Sequence, residues 1–141
     1  MIILDTNVVS EVLKPQPDES VLSWLYSLRA PVALTALTVA ELRTGLLLLP
    51  QGRRRDSLTK AVDSALRGHS IFPFDKRAAL EYAQVVSMRR QAGLPISTID
   101  AQIAAVCRSR HAVCATRNTK DFQLTGIELV NPWKSHRPSE K

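Results

Sequence analysis

Little in this sequence suits a protein held together by disulfides or zinc. Its two cysteines, Cys107 and Cys114, have no CxxC or Cys/His ligand spacing, so a zinc site is not expected. Aromatic residues make up 5% of the chain, too few for a platform of stacked bases. No apolar run approaches the roughly 18 residues of a membrane span. The longest covers residues 103–107, so no membrane partner is expected. Met1-Ile2-Ile3-Leu4-Asp5 lacks the basic segment of a signal peptide and reads as a strand. The expectation is a cytoplasmic protein with both thiols reduced. The chain has no GxxxxGK[ST] phosphate loop and no Ser-His-Asp or Cys-His arrangement. His69, His111 and His136 fall in loops or the tail, and a paired-histidine ribonuclease would need two of them to converge.

What is present is a chain of 141 residues, expected to fold as one domain over residues 1–134 with a polar tail over 135–141. A chain of this size buries roughly 68–70% of its unfolded surface, enough for a core without disulfides. It carries 19 Lys and Arg against 13 Asp and Glu, a formal net charge of +6, which favours a polyanionic partner. Basic residues gather at Arg53-Arg54-Arg55, Lys76-Arg77, Arg89-Arg90, Arg108/Arg110 and the tail from Lys134. The plainest account of any one cluster is a solvated helix face.

Short apolar runs alternate with longer helical patterns. Strands are expected at 2–4, 32–34, 70–74, 112–115 and 127–130, although Pro73 weakens the third. Helices are expected after Asp5, after Asp18, and over 35–49, 56–66, 75–91 and 97–110. Pro15, Pro17, Pro31, Pro50, Gly93 and Pro95 punctuate them. Strands that alternate with helices of ten or more residues imply an α/β fold with a parallel sheet. Their apolar composition implies helices on both faces.

Four acids sit where solubility does not explain them. Asp5 ends the first strand, at the carboxyl edge where such sheets bind ligands. As a helix N-cap it would be equally at home. Glu41 shares its helix face with Leu37, Thr38, Thr44 and Gly45, none of them charged. A glycine in that helix costs about 1 kcal/mol relative to alanine, which suggests a close approach on that face. Asp100 lies in line with Ile103, Ala104 and Cys107, yet Ser97-x-x-Asp100 also resembles a capping box. Asp121 follows the strand at 112–115, where a turn residue is an equally ordinary reading. Two unit charges about 4 Å apart interact by roughly 1 kcal/mol in water and about 4 kcal/mol at an effective dielectric of 20. Four acids that converged would therefore need protons or a cation. All-oxygen ligands favour Mg²⁺ or Mn²⁺ over zinc.

These segments resemble one known family. Met1-Ile-Ile-Leu-Asp5-Thr-Asn7-Val-Val-Ser10-Glu is similar to the opening of PIN-domain toxins of the VapC and FitB group. So are Leu37-Thr-Val-Ala-Glu41-Leu-Arg43-x-Gly45, Ile99-Asp100-Ala-Gln-Ile-Ala-Ala and Ala115-Thr-Arg-Asn118-Thr-Lys-Asp121-Phe122. The stretch from Gly126-Ile127 to Asn131-Pro132-Trp133 also resembles that group. The resemblance implies a three-layer α/β/α fold around a parallel sheet. It implies an endoribonuclease, the toxin of a type II toxin–antitoxin system, with Mg²⁺ or Mn²⁺ as cofactor. It maps the catalytic and metal-binding acids onto Asp5, Glu41, Asp100 and Asp121, with Thr6 and Asn7 supporting the first. Some PIN domains carry a further acid where Asn118 stands; this departure leaves the site with four acids and the number of metal ions open. A homodimer and a cognate antitoxin are implied as well, with operator DNA reached only through the antitoxin.

Two rival functions use the same features. One is a regulatory subunit that binds operator DNA with its antitoxin, cleavage being secondary or absent. The chain itself has no helix-turn-helix signature. The other is a receiver-like Mg²⁺ signalling domain, which needs a phosphoacceptor Asp after a central strand. Here the second strand ends Val32-Ala33-Leu34-Thr35, without an acid.

Overall fold

The structure, a computed structural model, describes residues 1–134. The expected tail over 135–141 lies outside the described residues. The elements run β1 (Ile2–Leu4), α1 (Thr6–Val12), α2 (Glu19–Ser27), β2 (Val32–Thr35), α3 (Ala36–Leu48) and α4 (Arg53–Arg67). They continue with β3 (Ser70–Phe72), α5 (Lys76–Gln91), α6 (Thr98–Ser109), β4 (Val113–Ala115), α7 (Thr119–Phe122) and β5 (Leu129–Val130). The five strands form one all-parallel sheet in the order β3-β2-β1-β4-β5.

Because successive strand residues face opposite sides, each strand supplies two cores. Ile3, Ala33 and Cys114 belong to one apolar cluster with Ala78 and Val85 of α5 and with α6. Their neighbours Leu4, Leu34 and Ala115 belong to the other, with α1, α2, α3 and Val62 of α4. The result is the expected three-layer α/β/α arrangement. The α6 helix is the most deeply set: Ala101, Ile103, Ala104, Ala105, Val106 and Cys107 are all fully buried. Both cysteines are free and buried.

The boundaries differ in instructive places. The α4 helix begins at Arg53, not at 56, so the three arginines form its first turn. Arginine is a good helix former, and that propensity outweighs the unfavourable placement of three cations at a helix N-terminus. The β3 strand stops at Phe72 because Pro73 has no N–H for the ladder. The β5 strand is only Leu129–Val130, the two residues that pair with Cys114 and Ala115. The α7 helix, a single turn, falls in a stretch to which the sequence pattern assigns neither helix nor strand.

Candidate active site

The first strand lies at the middle of the sheet, with β2 on one side and β4 on the other. The chain crosses over in opposite directions from there, which opens a crevice at the carboxyl ends of β1 and β4. Asp5 and Thr116 are the first residues beyond those two ends, and both are buried. Thr116 Oγ1 donates to Asp5 Oδ2 at 2.8 Å, and Asn7 Nδ2 donates to the same oxygen at 3.1 Å. The Thr6 backbone N–H donates to Asp5 Oδ1 at 2.8 Å. Asp5 is thus both the residue that starts α1 and a fixed acid in the crevice.

Glu41 is brought alongside by a relay of hydroxyls. Thr6 Oγ1 donates to Glu41 Oε1 at 2.7 Å and lies 2.9 Å from Thr38 Oγ1. A hydroxyl has one proton, and that of Thr6 is spent on Glu41, so Thr38 is the donor to Thr6. Thr38 is fully buried beneath Glu41 on α3. Asp100 sits in the first turn of α6, where Ser97 caps the helix by accepting from the Asp100 N–H at 3.3 Å. The capping role read from the sequence is therefore real, and it coexists with a carboxylate that faces the crevice. Asp121 is exposed on α7.

Asp5, Glu41 and Asp100 line one cleft of about 400 Å³, together with Lys14, Arg117 and Trp133. Asp121 is outside that wall, yet close enough to Asp100 to act on it electrostatically. Burial pushes the Asp5 carboxyl up to about 6 against the hydrogen bonds from Thr116 and Thr6, and Asp100 and Glu41 add to the rise. Asp100 is likewise raised, first by burial, then by Asp121 and Glu41, against its bond to Ser97. All four acids thus share one electrostatic environment. Among the described residues, however, no group of three or more His, Cys, Asp or Glu side chains closes around a point where a metal ion would sit.

Several contributing residues were not legible beforehand. Thr116 carries a signal in hindsight, since it stands after β4 as Asp5 stands after β1. Arg117 lies over the Trp133 ring at 5.0 Å and brings a guanidinium into the acidic cleft from a loop that the sequence does not mark. Asn118, in the place of a possible fifth acid, also lines the cleft, and its N–H donates to Thr116 Oγ1 at 3.0 Å. The basic clusters need correction. Arg89 is buried, Arg108 pairs with Glu81, and Arg110 lies over Phe72 at 4.3 Å and 3.9 Å from Asp75. Those three are parts of the protein's own packing. Gly45 meets no close neighbour; it opens onto a groove in place of the close approach that was expected.

The family profile of the PIN domain matches residues 2–127. With a parallel sheet whose carboxyl edge gathers acids, this defines the class: the chain belongs to the PIN-domain family, in its VapC/FitB-like branch. It is 42% identical over 137 residues to toxin FitB of Neisseria gonorrhoeae, covering 94% of this chain and 99% of FitB. It is 40% identical over 139 residues to the VapC ribonuclease Y4jK of Sinorhizobium fredii, covering 95% of this chain and 99% of that one. A solved structure of FitAB bound to an IR36 DNA fragment superposes with a TM-score of 0.86 at 38% identity, over 100% of both chains. Among the described residues, no helix is long and apolar enough to cross a membrane.

Proposed function

We propose that the protein is the toxin of a type II toxin–antitoxin pair, a cytoplasmic endoribonuclease that hydrolyses RNA phosphodiester bonds. Its Mg²⁺ or Mn²⁺ site is formed by Asp5, Glu41, Asp100 and Asp121. The observation that carries this reading is the cleft at the sheet's carboxyl edge that Asp5, Glu41 and Asp100 line together, with Asp121 near enough to raise the Asp100 carboxyl. Such a set accepts a cation readily, and its all-oxygen donors suit Mg²⁺ or Mn²⁺. Mg²⁺ usually keeps several waters and takes one or two carboxylates directly. Acids that do not close around a point therefore still fit an ion held in part through water.

When bound, the ion lowers the pKa of water and offsets charge that builds on the phosphodiester. The chain's own residues do the positioning. Asp5, Asp100 and Asp121 would hold the ion directly or through water, and Glu41 would hold it or orient the attacking water. The Thr38–Thr6 relay fixes the Glu41 carboxylate in one place. Lys14 and Arg117 in the same wall supply positive charge for backbone phosphates.

A groove of about 710 Å³ runs between α1, α3 and α4, lined by Leu13, Leu42, Leu46, Leu49 and Leu58. It shares Thr6, Ser10, Lys14 and Glu41 with the acidic cleft. An apolar segment of the antitoxin seated there would reach the acids and block them. A homodimer, and operator DNA reached through the antitoxin, complete the same reading. The FitAB–DNA complex also favours the alternative of a regulatory subunit whose cleavage is secondary or absent.

The test is cleavage of structured RNAs by the purified protein in Mg²⁺ or Mn²⁺ against EDTA. Asp5→Asn, Glu41→Gln, Asp100→Asn and Asp121→Asn are each expected to lower the rate at least about a hundredfold, within the range of lost catalytic electrostatics. Near-normal rates in two of the four would remove the site assignment. Operator binding by the toxin–antitoxin pair together with metal-independent, trace-level cleavage would favour the regulatory alternative.

A further inference from the structure

We infer that Arg89 is a positioning residue for the acidic site: its guanidinium fixes the turn that carries Asp121 against the segment that leads into Asp100. This rests on the reading of the four acids as one site. Arg89 lies in the last turn of α5 and is 4% exposed, the one buried Lys or Arg among the described residues. Its Nη1 donates to the carbonyls of Gln123 at 2.9 Å and Lys120 at 3.3 Å. Its Nη2 donates to the carbonyl of Pro95 at 3.5 Å. Lys120 and Gln123 flank Asp121 in and just after α7. Pro95 stands two residues before Ser97, the cap of α6 that receives the Asp100 N–H.

The physics of α7 makes this bridge consequential. It is four residues long, and one isolated turn does not hold itself together in water. Its last carbonyls have no partners within the helix. A cation with a rigid fork of donors at that end supplies both hydrogen bonds and favourable charge. Phe122, 1% exposed, anchors the turn to the core, and the Thr125 hydroxyl donates to its carbonyl at 2.6 Å. The Arg89 fork adds the bonds that tie the same turn to the segment before α6, and so bears on where Asp121 stands relative to Asp100.

Stability alone does not explain this residue. Among the described residues no carboxylate pairs with it, and its Nε has no hydrogen-bond partner. Burying a cation without a counter-charge is costly, and apolar side chains of similar volume often replace buried charges without loss. An apolar residue could not hold carbonyls from two segments, and a lysine could not hold them from two fixed nitrogens in one plane. An ammonium has compact, point-like geometry and cannot reproduce the fork.

The experiment compares wild type, Arg89→Lys, Arg89→Met, Asp121→Asn and the Arg89→Lys/Asp121→Asn double variant. Mn²⁺ binding is read from the spin-resonance signal of the free ion, and backbone amide exchange is read in EDTA. Asp121→Asn and Arg89→Lys should each weaken Mn²⁺ binding by about tenfold, the lower end of what outer partners of metal ligands contribute. In the Asp121→Asn background, Arg89→Lys should add less than about twofold, because its route of action is gone. Amides of residues 119–123 should exchange faster in Arg89→Lys while those of α6 keep wild-type protection. Wild-type Mn²⁺ binding by Arg89→Lys, equal weakening in both backgrounds, or a uniform rise in exchange would overturn the inference. An Asp121→Asn protein that binds like wild type would remove Asp121 from the site and the inference with it. A wild type that binds no Mn²⁺ would instead sink the proposed metal site, and the exchange pattern alone would then decide whether Arg89 holds the turn.

Discussion

At the scale of single residues, position along a strand carries most of the information. Asp5 was legible because an acid after an apolar strand stands at a carboxyl edge, whatever else it does. Its alternative role as helix start proved compatible with the first. Glu41 was legible from the absence of charge on its face, and Thr38 on that face turned out to hold it through Thr6. Arg89 was not legible as a partner of the site. Helical spacing puts it in line with Ala78 and Val85 and leaves Arg90 outside, but the carbonyls it meets belong to segments 6 to 34 residues further on. The Asp5 environment yields a prediction about metal-free protein. Its folded carboxyl titrates at about 6 against an ordinary 3.8, so between those values the native state binds the extra proton. Stability then falls as pH rises through that window and stays lowered above it, by a few kcal/mol at most given about 1.4 kcal/mol per pH unit. Urea denaturation of wild type and Asp5→Asn in EDTA, at pH 4 and pH 7, checks this. Asp5→Asn should gain on wild type as pH rises, and parallel curves would contradict it.

At the scale of elements, α3, α5 and α6 were read to within a residue, and α4 starts three residues before its expected start; the short α7 was not read, and β5 was read too long. The α5 and α6 helices span Lys76–Gln91 and Thr98–Ser109, against expectations of 75–91 and 97–110. Their apolar spacing and capping residues are local properties. The α7 turn and the shortened β5 depend on what packs beside them: Arg89 and Phe122 for the first, two rungs of β4 for the second. Gly126, in the loop between them, has a comparable tertiary cause. Its φ is +77°, and a Cβ there would collide with Arg108 Nη1. That guanidinium is not free to move, since it pairs with Glu81 and donates to the Thr125 carbonyl at 3.1 Å. Gly126→Ala should therefore cost more than about 1 kcal/mol, the upper end of the glycine entropy effect that works in the opposite direction. A denaturation midpoint equal to wild type would show that the loop relaxes freely.

At the scale of the whole molecule, the surplus of positive charge and the cluster of acids have to be considered together. The sequence carries a formal net charge of +6, yet the crevice gathers carboxylates. With Arg89, Arg108 and Arg110 committed to internal contacts, the proposed RNA-binding role would fall to exposed basic residues such as the arginines of α4 and Arg117, and to Lys14 beside its pair with Glu11. Affinity of the Asp121→Asn protein for single-stranded RNA should then fall steeply with KCl, with a log–log slope near −0.7 for each phosphate neutralised. A flat dependence would remove nucleic acid as the substrate.

The same polarity predicts what metal does to the fold. Without a cation, the raised Asp5 and Asp100 carboxyls lower stability as they ionise, so the metal-free protein should melt lower at pH 8 than near pH 5. A divalent ion that binds only the native state reverses this, because it favours the ionised carboxylates that repulsion and burial disfavour. At a hundred times its Kd it should add about 2.7 kcal/mol. Asp100→Asn deletes one repelling charge and should recover part of that gain in EDTA, while responding less to Mn²⁺ and losing cleavage. The measurement is thermal melting of wild type and Asp100→Asn at pH 8, each with EDTA and with Mn²⁺. Suppose wild type melts at one temperature in both, and the variant gains nothing in EDTA. The four acids would then not act as one cation-binding cluster, even though the sheet, the crevice and the family would stand unchanged.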